Sequence, residues 1–122
     1  MENLRKTAII IEDDTGLYTL LESILGLRGV FSIRADTVSK AKSLSKKIHP
    51  AFIFVDNQLP DGYGFNCIAL LRKNFPDAFI VAMTSEATDK IKTKTQCDGA
   101  NCFLQKPFML NEITGLLNKS IN

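Results

Sequence analysis

Scarcity narrows what this chain can do. It has three cysteines and one histidine in 122 residues, and Cys67, Cys97 and Cys102 match no metal-ligand spacing. Buried or idle thiols in a reducing compartment are the expected reading, which places the chain in the cytoplasm and sets aside a disulfide scaffold. His49 precedes Pro50 at a helix-to-strand corner, where a structural role fits better than a ligand one. No apolar run approaches the roughly 20 residues needed to span a bilayer, so no membrane partner is expected. No charged-then-apolar leader opens the sequence. Basic tracts are missing as well. Lys40, Lys42, Lys46 and Lys47 read as the wet face of one helix, and the net charge is only +2. Direct nucleic-acid binding by this chain is therefore not expected.

What is present reads as one ordinary globular domain over residues 1–122, with 45% hydrophobic and 23% charged residues. Strand candidates are Ile9 to Ile11, Phe31 to Ile33, Phe52 to Val55, Phe79 to Met83 and Cys102 to Leu104. The first, third and fourth are continuously apolar, as parallel strands covered on both faces should be. The second and fifth are shorter and mixed, which points to edge positions. Helical stripes alternate with them. Leu17, Leu20, Leu21, Ile24 and Leu25 form the first, with Thr15 or Asp14 as cap. Val38, Ala41, Leu44 and Ile48 form the second, with Asp36 and Thr37 available as caps. Phe65, Ile68, Ala69 and Leu71 form the third, and Leu110, Ile113, Leu117 and Ile121 the last. The stretch Glu86 to Cys97 has only Ala87 and Ile91 clearly apolar among its lysines, so a loosely held helix is expected there. A β-α unit repeated five times, joined by right-handed crossovers, gives a doubly wound parallel sheet between two helix layers.

Chemistry gathers where the strands end. Ile9 to Ile11 runs into Glu12, Asp13 and Asp14; Ile53 to Val55 runs into Asp56; Met83 runs into Thr84; the last strand runs into Lys106 and Pro107. With strand order 2-1-3-4-5, Glu12 and Asp13 lie beside Asp56 in the crevice where such sheets bind ligands. Three neighbouring carboxylates repel one another, and some stay protonated unless a cation neutralises them. Mg²⁺ suits the place, because it takes one or two carboxylates, keeps waters and leaves room for a phosphate oxygen. Each residue also has an ordinary reading. Asp13, Asp14 and Thr15 are helix-capping types, Asp56 opens a run of turn residues, Thr84 precedes Ser-Glu as a cap would, and Lys106 would serve as a surface lysine. Together they are the parts for phosphoryl transfer onto Asp56, with Lys106 stabilising charge and Thr84 gripping an oxygen.

In order, Ile9-Ile10-Ile11-Glu12-Asp13-Asp14, Val55-Asp56 with Leu59-Pro60-Asp61-Gly62-Tyr63-Gly64, Met83-Thr84-Ser85, Gly99-Ala100 and Lys106-Pro107-Phe108 resemble the receiver domain of two-component response regulators. The resemblance implies a flavodoxin-like sheet and a phosphoryl group received on Asp56 from a sensor histidine kinase or histidine phosphotransferase. It implies that Glu12, Asp13, Asp56 and the backbone carbonyl of Gln58 bind Mg²⁺. Thr84 and Phe103 would be switch residues, Lys106 an ion-pair partner, and the Lys106-Pro107 peptide cis. Output would pass to a downstream protein or effector domain through the face of the fourth helix, fifth strand and fifth helix. Such a domain is an acceptor with at most self-phosphorylation and self-dephosphorylation, not an enzyme. Glu12 stands where Asp is more usual, and Gln58 and Glu86 occupy positions that in the family tune hydrolysis of the phospho-aspartate. Two other readings stay open. Asp13-Asp14-Thr15-Gly16 resembles the nucleophile segment of haloacid-dehalogenase-like phosphohydrolases, and a receiver-like fold also serves as an unphosphorylated binding module.

Overall fold

The computed structural model describes residues 6–121, with side chains through residue 120. Its elements are β1 (Lys6–Ile11), α1 (Thr15–Gly26), β2 (Val30–Ala35), α2 (Val38–Leu44), β3 (Phe52–Asp56), α3 (Ile68–Asn74), β4 (Phe79–Thr84), α4 (Asp89–Asp98), β5 (Cys102–Gln105) and α5 (Leu110–Ile121). The five strands form one parallel sheet in the order β2-β1-β3-β4-β5. The two mixed strands take the edges, as their composition demanded. Strand β3, FIFVD, is buried along its whole length. Between β3 and α3 the expected turn contains a short antiparallel hairpin, Gln58–Leu59 against Gly62–Tyr63, and a 3₁₀ turn, Gly64–Cys67.

Two cores lie on opposite sheet faces. Ile10, Phe54, Val81 and Met83 meet Leu21, Leu25, Ile113 and Leu117 of α1 and α5. Ile9, Ile53, Val55 and Ile80 meet Ala41, Ile68 and Leu71 of α2 and α3. Alternate strand residues feed each core because successive side chains point to opposite faces. Three predicted core positions lie outside. Leu20 and Leu110 are 45% and 59% exposed, and Ala69 is exposed too. Leu20 sits at the margin of a stripe wider than the face α1 presents to the sheet. Leu110 opens α5 before that helix has reached the core, and Ala69 is one residue, about 100°, past the buried Ile68. Ile121 lies outside the described side chains.

The caps are local. Asp14 accepts from Leu17 N and Thr37 from Lys40 N, closing the first turns of α1 and α2. Helix α4 starts at Asp89, capped by Thr88, later than the sequence suggests. It buries only Thr95, with Ile91 half-buried. Its C-terminal end is nonetheless tied down. Arg72 donates to the carbonyl of Gly99 at 2.9 and 3.1 Å and to Asn101 Oδ1 at 2.6 Å. Its remaining nitrogen donates to the Phe75 and Pro76 carbonyls at the end of α3. A helix with so little buried apolar surface opens cheaply. Amides in the middle of α4 are therefore expected to exchange faster than those of α1; equal protection, by native-state hydrogen exchange, would contradict a loosely held α4.

Candidate functional site

The sheet register assembles the site. Ile11 pairs with Val55, so the next residues, Glu12 and Asp56, are neighbours at the strand ends. Asp56 pairs with Met83 and Thr84 with Gln105, which puts the hydroxyl and then Lys106 one step beyond on either side. Lys106 Nζ lies 2.7 Å from Glu12 Oε1 and 2.8 Å from Asp56 Oδ1. One carboxylate oxygen each of Glu12, Asp13 and Asp56 falls within 4.8 Å of the others. Gln58, Thr84 and Ser85 line the same open cleft, of about 530 Å³. Thr84 is buried, and its hydroxyl accepts from Glu86 N at 3.1 Å. Gln58 Nε2 donates to Glu86 Oε1 at 3.2 Å across the cleft. The Lys106-Pro107 peptide is cis.

The electrostatics follow from burial. Desolvation raises Glu12 above its ordinary 4.5; the Lys106 hydrogen bond opposes this, while the Asp56 charge reinforces it. For Lys106 desolvation pulls downward, but hydrogen bonds to Asp56 and Glu12 carry it above its ordinary 10.5. A carboxyl with a raised folded pKa contributes stability that is full below 4.5 and is lost as pH rises through the folded value. In metal-free buffer, urea unfolding should thus show stability falling with pH across that window, and Glu12→Gln should flatten the slope. A wild-type curve already flat there would contradict the burial argument. At more acid pH the sign reverses. Asp61 lies below its ordinary 3.8 because it accepts from Val38 N and Ser39 N, so its contribution is lost as pH falls through its depressed value.

Of the residues singled out in the sequence, Glu12, Asp13, Asp56, Gln58, Thr84 and Lys106 line one cleft. Asp14 has the ordinary role of helix cap. Phe103 lies apart, edge-on to Phe65 at 6.3 Å with Lys92 Nζ 5.7 Å from its ring centre. Glu112 accepts from Met109 N at 2.9 Å and closes the first turn of α5. The sequence reading missed three supports. Gly64 lies so close to Asp56 that a Cβ would overlap the Asp56 carbonyl oxygen. Asp61 ties the hairpin to α2, and Arg34 grips the loop from Glu12 to Thr15. Asp61 and Gly64 both stand in the turn motif quoted above, without these roles; Arg34 left no signal, since it acts across 19 or more residues of chain.

Doubly wound topology in the order 2-1-3-4-5, with an acidic cleft at the C-terminal ends of adjacent strands, defines a flavodoxin-like α/β domain. The family model for the response regulator receiver domain matches residues 8–118, and the chain belongs to that family. Among relatives, the photosynthetic apparatus regulatory protein RegA of Rhodobacter capsulatus is 30% identical over 112 residues, covering 92% of this chain and 61% of RegA. The chain thus spans about three fifths of that relative. A response regulator protein from Burkholderia pseudomallei, solved with a phosphorylated aspartic acid, calcium ion and citrate, is 29% identical with TM-score 0.84, covering 90% of this chain and 65% of its own. The non-phosphorylated HemR receiver domain of Leptospira biflexa is 28% identical with TM-score 0.88, covering 97% and 95%. No helix among the described residues is long and apolar enough to cross a membrane.

Proposed function

We propose that this domain is a phospho-accepting switch of a two-component system, working in the cytoplasm, with Asp56 as the acceptor. The observation that carries the reading is the Lys106 ammonium bridging Glu12 and Asp56, with Asp13 and Thr84 in the same cleft. The donor set fits Mg²⁺. Three clustered carboxylate oxygens, one on a buried Glu12 whose charge is disfavoured, are hard ligands lacking enough positive charge. Glu12, Asp13, Asp56 and the backbone carbonyl of Gln58 would hold the ion. Bound there, it would neutralise charge on the phosphoryl oxygens.

Asp56 acts as the nucleophile. Its carboxylate oxygen attacks phosphorus, the bond from phosphorus to the donor's histidine nitrogen breaks, and the histidine keeps that electron pair. Lys106, already 2.8 Å from Asp56, pairs with the incoming phosphoryl oxygens. Thr84 turns to donate its hydroxyl to a phosphoryl oxygen and gives up accepting from the Glu86 amide, which frees the segment leading into α4. Phe103, packed on Phe65 and under Lys92, belongs to the face that reads this change. The donor is a sensor histidine kinase or histidine phosphotransferase, and the output partner meets α4, β5 and α5. The domain accepts a group once per signal, with self-phosphorylation and self-dephosphorylation as its only turnover.

The test is where phosphate lands. Incubation with acetyl phosphate and Mg²⁺, followed by borohydride trapping and peptide mapping, should mark Asp56. A mark on Asp13 would replace this reading by the phosphohydrolase one, and no mark at all by the binding module.

A further inference from the structure

We infer that Arg34 is a positioning residue for the acidic loop, setting the cation affinity of the site by holding the loop's backbone. The inference rests on the reading of Glu12 and Asp13 as metal ligands. Arg34 stands on β2 in register with Ile10. Its Nε donates to the Glu12 carbonyl at 3.1 Å, Nη2 to the Asp13 carbonyl at 2.7 Å, and Nη1 to Thr15 Oγ1 at 3.2 Å. The guanidinium carbon lies 5.3 Å from the centre of the Tyr18 ring, so α1 supports it from beneath. Each of the three nitrogens is spent on a different residue of one turn.

The choice of acceptors matters. An arginine bound to the loop that carries two of the three carboxylates would be expected to pair with one of them, and so compete with a cation. Arg34 instead takes two backbone carbonyls and a hydroxyl, leaving the carboxylates to the cleft. Asp13 depends on this most. Its side chain is exposed, and among the described residues no hydrogen bond or ion pair holds its carboxylate. Its place in the cluster is set by its backbone, and Arg34 holds the Asp13 carbonyl by the shortest of its three bonds. The Glu12 amide is bound by the carbonyl of Ala35, the next residue of β2, at 3.0 Å. The end of β2 thus holds the loop on both sides of the Glu12 side chain.

Charge and position predict opposite outcomes. If Arg34 acted only as a positive charge, Arg34→Met would tighten cation binding and Arg34→Lys would leave it unchanged. As a positioning fork, Arg34 cannot be replaced by the point charge of lysine. Both variants should then weaken Mg²⁺ by about tenfold, the scale at which outer-shell partners act. The experiment titrates Mg²⁺ into wild type and both variants. It follows amide NMR shifts of residues 12–15 and calorimetric heat, after circular dichroism has confirmed the fold. A second readout is phosphorylation by acetyl phosphate. The Mg²⁺ concentration for half-maximal rate should rise with affinity loss, and the rate at saturating Mg²⁺ should recover. Tighter binding in Arg34→Met, or unchanged binding in Arg34→Lys, overturns the inference while leaving the site intact. No Mg²⁺ binding by wild type would instead overturn the metal site itself, and this inference with it.

Discussion

Replacing Gly64 by alanine is expected to slow phosphoryl transfer to Asp56 by about a hundredfold and to cost about 1–3 kcal/mol of stability. A Cβ at this position overlaps the Asp56 carbonyl oxygen and lies 3.1 Å from Val55 Cγ1. The obstacle is backbone, so no flexible side chain can step aside. Nor can Asp56 retreat. It ends a fully buried strand, pairs with Met83 in the sheet, and is followed by Asn57, whose amide donates to the Met83 carbonyl at 3.2 Å. The hairpin must move instead. The Gly64 amide gives up the Asn57 carbonyl at 2.9 Å, and the bond from Phe65 N to Asn57 Oδ1 at 3.2 Å loosens with it. Both bonds close the loop that begins directly after the acceptor, so a shift there misaims the Asp56 carboxylate and moves Gln58. The same substitution at Gly115, where a Cβ meets nothing within 4 Å, is the control. Transfer from acetyl phosphate at the wild-type rate in Gly64→Ala would show that the close approach has no part in aiming Asp56.

Much of this was legible because it depends on periodicity and on abrupt strand ends. Ile53 to Asp56 announces a buried strand and the carboxylate at its end in four residues, since a parallel strand covered on both faces has no need of alternation. Sheet order brings Glu12 to Asp56 with no further information, because the register pairs Ile11 with Val55. Amphipathic stripes were legible in their centres and misleading at their edges. Leu21 and Ile24 are buried, but Leu20, at the margin of the stripe on the wheel, is not. Least visible were the long polar side chains. Arg34 reaches back 19 to 22 residues and Arg72 forward as far as 29, and nothing in their flanking sequence sets them apart from wet-face arginines. Their roles arise from three-dimensional placement, in which one guanidinium serves several backbone acceptors that only the finished fold brings together. Helix α4 shows the same limit from the other side. Its weak stripe correctly foretold shallow burial, but not the Arg72 fork that fixes its far end.

Replacing Lys106 by methionine is expected to slow transfer to Asp56 by about 10²–10³-fold and to destabilise the metal-free domain by about 3 kcal/mol at neutral pH. The stem keeps its volume, so the effect isolates the charge. Glu12 and Asp56 have side chains 1% and 7% exposed, and the lysine is the cation the protein itself supplies to both. Without it the two carboxylates face each other in a poorly solvated cleft, where removal of one partner of a buried pair is far more costly than the pair is stabilising. The figure belongs at the low end of that range because Lys106 itself is 23% exposed and partly screened. The loss should depend on pH in a defined way. As pH falls through the raised Glu12 titration, the glutamic acid becomes neutral and no longer misses the ammonium, so the difference between wild type and variant shrinks by the Glu12 share. As pH rises through the raised Lys106 pKa, wild type loses the charge as well, and the curves converge. Between these limits the difference should form a plateau. Urea unfolding of both proteins in metal-free buffer, from about pH 4 to about pH 11.5, checks it. A difference that stays constant from the acid end to the alkaline end would mean that the bridge from Lys106 to Glu12 and Asp56 does not carry the stability.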